Sequence, residues 1–479
     1  MPKYLLRAEA VNLNNFVNDT NRIQSIRGGS NLLLESMHGL HTKDFSENVK
    51  LTPIATGASI GLYSFNANSD EDADEVVMTA HKHLSQAVGG HATFVVNFEK
   101  DDGKFLENLA MITARNRWQQ YQQPTLILPE IGKGVTEPCS FDGLRPASIR
   151  NDAVFRGDKL SDSVYYRVRQ GRELRQNLYK LLLDTSGDEF TNDLSEIAED
   201  CNHGNLNGKI ACIYLDGNWF TKIRNKACTT RETLENFSKY VEVQRRNFLE
   251  ELLTLARSDS NFKTENGAIR LETLLWGGDE LEIIVPAWKG WQVIRLIQKT
   301  LGKMEFNGYQ LSHAGGIIYC NHKAPIIQVR RMVRQLAEMA KESIPAKTLD
   351  EITHNTCDLI YPFVLESFDT IGTNLKSFFR SYHGQQNLDH FCLDPQFAAC
   401  LEEVVQVMKS NGFPRNKIFD IVQAVRDKKS PEVVRNKALS GLDDERRNAI
   451  EAALNTYLDN NDQRWLLVAE MWDYVGRAV

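Results

Sequence analysis

The amino-acid sequence predicts an α+β protein in which two ferredoxin-like βαββαβ domains are followed by a C-terminal helical bundle. Three observations carry this expectation. Strand-like and helical apolar periods alternate in the same order twice along the chain, and a short glycine-containing turn joins two strands in the middle of each copy. Beyond residue 345 the apolar residues recur almost throughout at helical spacing. The 479 residues suffice for two to four domains, and 42% apolar with 25% charged residues excludes a disordered or fibrous chain.

In the first copy, 4–11 reads as a strand and 13–40 as helical spacing interrupted at Arg27-Gly28-Gly29-Ser30. Residues 51–56 and 60–65 flank Gly57-Ala58-Ser59 as a hairpin, 73–88 reads as a helix and 92–98 as a strand. In the second copy, 209–215 is a buried strand ending at Asp216 and 233–257 an amphipathic helix. The hairpin arms 269–276 and 281–286 then flank Gly277-Gly278-Asp279-Glu280. A helix over 291–301, a strand over 311–320 and a helix over 326–341 bearing Arg330, Arg331 and Arg334 complete that copy. Between the copies, 129–200 is richer in Gly, Pro and charge, with a helix expected over 160–183. Downstream, 349–367, 396–411, 417–426 and 446–457 have helical spacing, and 465–474 is strongly amphipathic. The expected domains are therefore 1–128, a connector at 129–205, 206–345 and 346–479.

A net charge of −7 argues against a surface devoted to nucleic acid, although a local basic groove is compatible with it. The chain opens without a long apolar run and no later stretch reaches membrane-spanning length, so a cytoplasmic protein is expected. Eight scattered cysteines, none two residues from another, read as reduced structural thiols. No His-Asp pair and no Gly-x-x-x-x-Gly-Lys-Ser/Thr occurs, which removes an HD-type phosphohydrolase and a P-loop enzyme.

The chemistry gathers in the second copy. Asp216 ends a strand, and Asp279 with Glu280 occupies a hairpin tip. In a βαββ unit these places are neighbours, so the carboxylates converge and suit Mg²⁺ or Mn²⁺, ions that prefer hard oxygen ligands. Gly217, Gly277 and Gly278 leave bare backbone for phosphates to approach. Gly-Gly-Asp-Glu alone would read as a solvated turn. The strand 210–215, ending in an acid followed by Gly-Asn, favours a site, and nucleotidyl transfer follows.

The stretches Ile213-Tyr214-Leu215-Asp216-Gly217-Asn218, Trp276-Gly277-Gly278-Asp279-Glu280-Leu281, Ser312-His313-Ala314-Gly315-Gly316-Ile317, His322-Lys323-Ala324-Pro325 and Ala340-Lys341 resemble the second palm domain of the large polymerase/cyclase subunit of type III CRISPR effector complexes. The N-terminal Arg27-Gly28-Gly29-Ser30-Asn31-Leu32-Leu33 resembles that family's first palm, and 363–372 with Trp472-Asp473-Tyr474-Val475 its helical part. The resemblance implies two palm domains and a cyclase-type site that turns ATP into cyclic oligonucleotides serving as defence messengers. It implies Asp216, Asp279 and Glu280 as catalytic metal ligands, Glu280 standing where the family more often has Asp. It further implies Lys341 at the triphosphate, with Gly217, Asn218, Gly277, Gly278 and Ser312 at the nucleotide.

Three departures stand out. The resemblance begins at the first palm, so no HD domain is expected. Of the family's zinc-binding cysteine cluster it keeps Cys139 in a degenerate, ribbon-like connector, so no stoichiometric zinc is expected. Asn218 replaces the usual second acid. The first palm is expected to be non-catalytic, because its tip is Gly57-Ala58-Ser59. It could still hold an acceptor nucleotide near Ser59 and a Gly28-Gly29-Ser30 turn, which reads equally as a phosphate cradle or a kink. Two other functions stay open. One is a diguanylate-cyclase-like enzyme, against which Arg270-Leu271-Glu272-Thr273 lacks the Arg-x-x-Asp motif; the other is a catalytically silent scaffold or sensor that binds nucleotide or RNA. ATP or another NTP is the expected ligand. An RNA or protein partner through the C-terminal helices, and oligomerisation, are left open.

Overall fold

A computed structural model describes residues 1–11, 13–43, 45, 49–123, 137–148, 157–183, 187–344, 348, 357–366, 374–383, 388–459 and 461–475. Helices and two main sheets alternate as an α+β fold. Strands β1 (Lys3–Val11), β2 (Thr52–Thr56), β3 (Ile60–Asn66) and β4 (Thr93–Lys100) form an antiparallel sheet in the order β2-β3-β1-β4. That is the ferredoxin-like order expected from βαββαβ. Helices α1 (Ile23–Gly39) and α2 (Asp70–Ala87) supply its crossovers, and α3 (Phe105–Gln122) packs on β1 and β4. The Ser69 hydroxyl caps α2 by accepting from the Asp72 amide, and Asp70, Glu71 and Asp72 set negative charge at its N-terminus.

The glycine pair in α1 is not a turn. Gly28, Gly29 and Ser30 are buried inside a continuous helix, where their N–H groups serve the helical ladder. The reason lies in α4 (Asp162–Leu183), which crosses α1 closely. A Cβ on Gly28 would fall 1.9 Å from the Arg167 carbonyl oxygen, and one on Gly171 2.2 Å from that of Gln24. Bare backbone meets bare backbone, and the phosphate-cradle expectation for Gly28, Gly29 and Ser30 is thereby corrected. The connector is pinned to the first palm by Asp19, which accepts from Arg145 and Arg167. Cys139 is buried beside Leu160, Val164 and Val168.

Helix α5 (Leu194–Ala198) leads into the second sheet. Its strands are β5 (Lys209–Gly217), β6 (Glu272–Trp276), β7 (Leu281–Pro286), β10 (His313–Asn321) and β11 (Leu359–Leu365), in the order β11-β10-β5-β7-β6. A two-residue hairpin, β8 (Glu305–Phe306) with β9 (Tyr309–Gln310), turns at Asn307-Gly308, both with positive φ. The helices are α6 (Phe220–Ala227), α7 (Arg231–Ser258), α8 (Ala287–Thr300) and α9 (Ile326–Glu342). A Thr230/Thr233 capping box opens α7.

Both sheet faces are covered. Gly290 of α8 lies against Ala211 and Tyr319, whereas Arg330 and Arg334 of α9 reach Glu282. Alternation along β5 therefore turns Tyr214 and Asp216 toward α9, opposite to Ala211. The arginines of α9 thus split: Arg331 is exposed, but Arg330 is buried in the Glu282 pair and also donates to Asn18 of the first palm.

Residues 349–367 do not form the expected helix where they are described: β11 pairs in parallel with β10, from Ala314↔Leu359 to Cys320↔Leu365. The remaining helices are α10 (Leu375–His383), α11 (Pro395–Ser410), α12 (Arg415–Arg426), α13 (Pro431–Leu439), α14 (Asp444–Leu458) and α15 (Arg464–Met471). The two palms meet where α1 touches β6, and Arg27 of α1 and Glu272 of β6 form a buried ion pair at 2.5 Å. Such a pair adds little net stability, but it penalises any arrangement that strands one charge. No helix among the described residues is long and apolar enough to cross a membrane.

Candidate active site

The site forms at one end of the second sheet. Pairing of Leu215 with Leu281 carries β5 and β7 into register, so the hairpin tip 277–280 extends alongside Asp216 and Gly217. The approach is close: a Cβ on Gly217 would lie 2.8 Å from Asp279 Cβ and 2.7 Å from the Phe220 ring. Only glycine lets the tip settle there. Trp219, two residues on, takes the left-handed conformation at φ 63° and redirects the chain into α6, with Lys222 Nζ 3.7 Å from its ring centroid. A bulky residue in that region stores roughly 1–3 kcal/mol of strain, held by its surroundings.

Asp216 and Asp279 are brought together. Burial, and next the Asp216 charge, push the Asp279 carboxyl above its ordinary range; Arg245 and His313 oppose this. Lys341, in the last turn of α9, donates to Asp216 Oδ2 at 2.5 Å. Its own burial favours the neutral amine, yet Asp216 outweighs it and the ammonium pKa is raised. Glu280 departs from the expectation: Tyr214 donates its hydroxyl to Glu280 Oε1 at 2.7 Å, and the acid does not complete a three-carboxylate cage. Among the described residues no group of three or more His, Cys, Asp or Glu converges on one point. The pair Asp216/Asp279 still fits a hard divalent ion, because Mg²⁺ is commonly held through one or two carboxylates with phosphate oxygens and water filling the octahedron.

Asn218 and Ser312 lie beneath this surface. Asn218 is 3% exposed, its amide N–H donates to the Ser312 carbonyl at 2.8 Å, and its Nδ2 donates to the Ser312 hydroxyl at 3.1 Å. Both are buried, and in this structure they hold each other at the end of β5 rather than opening onto the surface where a nucleotide was expected. Beside them, His313 N–H donates to the buried Asp358 at 2.7 Å. Gly277 and Gly278 line the tip, with open space around Gly278. Ser59 sits at the first palm's β2–β3 turn, where its carbonyl accepts from the Ala10 amide.

Sequence reasoning passed over Arg245. It lies on the buried face of α7 with Leu234, Phe237, Val241 and Phe248, a helical phase that marks it as an arginine in an apolar position. Arg224 is near as well; burial and then Arg7 of the first palm lower its pKa, while Asp279 raises it.

The fold has known counterparts. The chain is similar to Csm1 in the crystal structure of a Csm1–Csm4 cassette in complex with pppApA, at TM-score 0.51 and 12% identity over 98% of this chain and 69% of that one. The cassette with one ATP gives TM-score 0.51 and 11% identity over 99% and 70%. The cassette with cA3 gives 0.51 and 11% over 98% and 70%. No protein-family model matches the chain, and no curated protein does. The chain thus has the fold of the type III CRISPR polymerase/cyclase subunit, in agreement with the resemblance carried by its motifs.

Proposed function

We propose that the chain is a nucleotidyltransferase that joins ATP units into linear or cyclic 3′-linked oligoadenylate and releases pyrophosphate, in antiviral defence signalling. The juxtaposition of Asp216 and Asp279, with Lys341 at its rim, is the observation that carries this reading. In the reaction a ribose 3′-oxygen attacks the α-phosphorus of a second nucleotide, the bond to the β-phosphate oxygen breaks, and the hydroxyl proton leaves. Mg²⁺ or Mn²⁺, held by Asp216 and Asp279, would neutralise the α-phosphate oxygens and acidify the 3′-hydroxyl. Lys341 would exchange Asp216 for the triphosphate and offset charge on the departing pyrophosphate. Gly277 and Gly278 present backbone that phosphates can approach closely. ATP, pppApA and cA3 accompany the Csm1–Csm4 structures of the same fold, which supports adenosine nucleotides as the substrate class.

The C-terminal helices are the proposed face for an RNA or protein partner, with Phe419 of α12 59% exposed and Val433 of α13 40% exposed. A silent nucleotide-binding scaffold is the second reading, favoured by the Tyr214–Glu280 hydrogen bond and by Asn218 in place of an acid. Incubation with each NTP and Mg²⁺ or Mn²⁺, followed by mass analysis, separates the two. Oligoadenylate that disappears in Asp279→Ala supports the enzyme, and ATP binding without any product supports the scaffold.

A further inference from the structure

Arg245 projects from α7 under the hairpin tip and is 5% exposed. Its guanidinium donates to three main-chain carbonyls at once: to Gly277, to Gly278 at 2.7 Å and to Glu280 at 2.7 Å. It also lies 4.7 Å from the Trp276 ring centroid. The Gly277 amide donates to the Glu280 carbonyl at 2.9 Å, so the tip is closed from within and clamped from below by one cation.

In a trans peptide the C=O and N–H point in opposite directions. Carbonyls of 277 and 278 turned down to Arg245 therefore turn the amides of Gly278 and Asp279 up, away from α7. Without this clamp, two adjacent glycines would leave the tip many conformations, because glycine is the least restricted residue. A buried guanidinium with no carboxylate hydrogen-bonded to it is costly unless its donors are filled, and here backbone oxygens of the tip fill them.

We infer that Arg245 is a positioning residue of the candidate site, fixing the peptide planes of the Gly-Gly-Asp-Glu tip so that Asp279 faces Asp216. This rests on the proposed metal-dependent reading and adds to it the residue that shapes the ligand. The neighbouring Arg246 supplies an internal control, since it is exposed and, among the described residues, pairs with Glu250 one turn along and not with the hairpin tip.

The test uses the full chain without nucleotide, Mn²⁺ alone as probe, and free-ion electron paramagnetic resonance as readout. Arg245→Met is expected to keep the helical circular dichroism of the parent and to weaken Mn²⁺ binding about 10–100-fold, as removal of a residue supporting a metal ligand does. Arg245→Lys, able to serve fewer of the three carbonyls, should fall between, and Arg246→Met should match the parent. Methylguanidinium added to Arg245→Ala should restore part of the binding, an effect that general loosening of the fold would not give. Should Arg245→Met fail to fold, Arg245→Lys decides. Parent-like Mn²⁺ affinity in Arg245→Met, or in Arg245→Lys where that variant decides, overturns the inference. If Asp279→Ala loses Mn²⁺ while the Arg245 variants keep it, the inference alone fails. If the parent binds no Mn²⁺, or Asp279→Ala binds it unchanged, the metal-site reading falls and the inference with it.

Discussion

Lys341 and Asp216 form an ion pair at 2.5 Å that joins the last turn of α9 to the end of β5. Two elements separated by more than a hundred residues thus deliver opposite charges to one place. Lys341 is 30% exposed at its side chain and can turn toward a ligand phosphate. Lys341→Met should raise the KM for ATP about tenfold, the effect of losing roughly 1.4 kcal/mol, and leave product length unchanged. Steady-state kinetics with mass analysis of products checks this; an unaltered KM removes Lys341 from triphosphate binding.

Asp279 carries a stability signature of its position beside Asp216. Its folded-state pKa is raised by burial and by Asp216, so its contribution to stability is fully present below the unfolded pKa and is lost as pH rises through the folded one. At neutral pH the ionised carboxylate therefore opposes folding. Asp279→Asn should melt a few degrees higher than the parent at pH 7, with the difference shrinking toward pH 3, and should make no oligonucleotide. Calorimetry across that range tests it, and a lower melting temperature at pH 7 would contradict the assigned burial.

Restoring an acid at position 218 appeals on sequence grounds and is opposed by the structure. Asn218 is buried on Ser312, so the carboxylate introduced by Asn218→Asp would be desolvated and would gain no access to the metal. That variant should lose about 1–3 kcal/mol, more at pH 8 than at pH 5, without any gain in turnover. Denaturant melts at the two pH values measure the loss. A rise in activity would return residue 218 to the site.

Gly28→Ala should destabilise the chain by about 1–3 kcal/mol or more, because the methyl has backbone in its way on α4 and nothing flexible to displace. Chemical denaturation reads the loss. ATP affinity of the folded fraction should be unaffected, since the position is structural; a selective loss of ATP binding would revive the cradle.

Strands 209–217 and 281–286 were legible because their apolar runs are short and bounded by turn residues, and the meeting of Asp216 with the hairpin tip followed from where those strands end. β11 was not. Leu359 to Leu365 is apolar at every position, and such a run fits a buried strand and a buried helix equally. Pro362 inside it was the usable sign, since proline is tolerated at a sheet edge, and β11 is an edge. Gly28 and Gly29 read as a break because glycine weakens an isolated helix; only a second helix pressed on them explains why they are there. Glu280 and Asn218 turn to partners that the motif could not show for a shared reason: motif spacing places a backbone position, while the direction of the side chain is settled by neighbours, Tyr214 on β5 and Ser312 just before β10.

The parallel seam between β10 and β11 has a consequence for how the chain reaches its native state. During synthesis the outer hydrogen-bonding edge of β10 remains without its neighbour until residue 365 has left the ribosome. Tyr474, whose ring centroid is 4.1 Å from that of Tyr319, can cover β10 only later still. The nascent second palm therefore passes through a stage with an open, apolar sheet edge, the kind of surface that chaperones occupy and that drives aggregation. Emergence of residues 359–365, rather than of the acidic hairpin, is the event that covers this edge of β10.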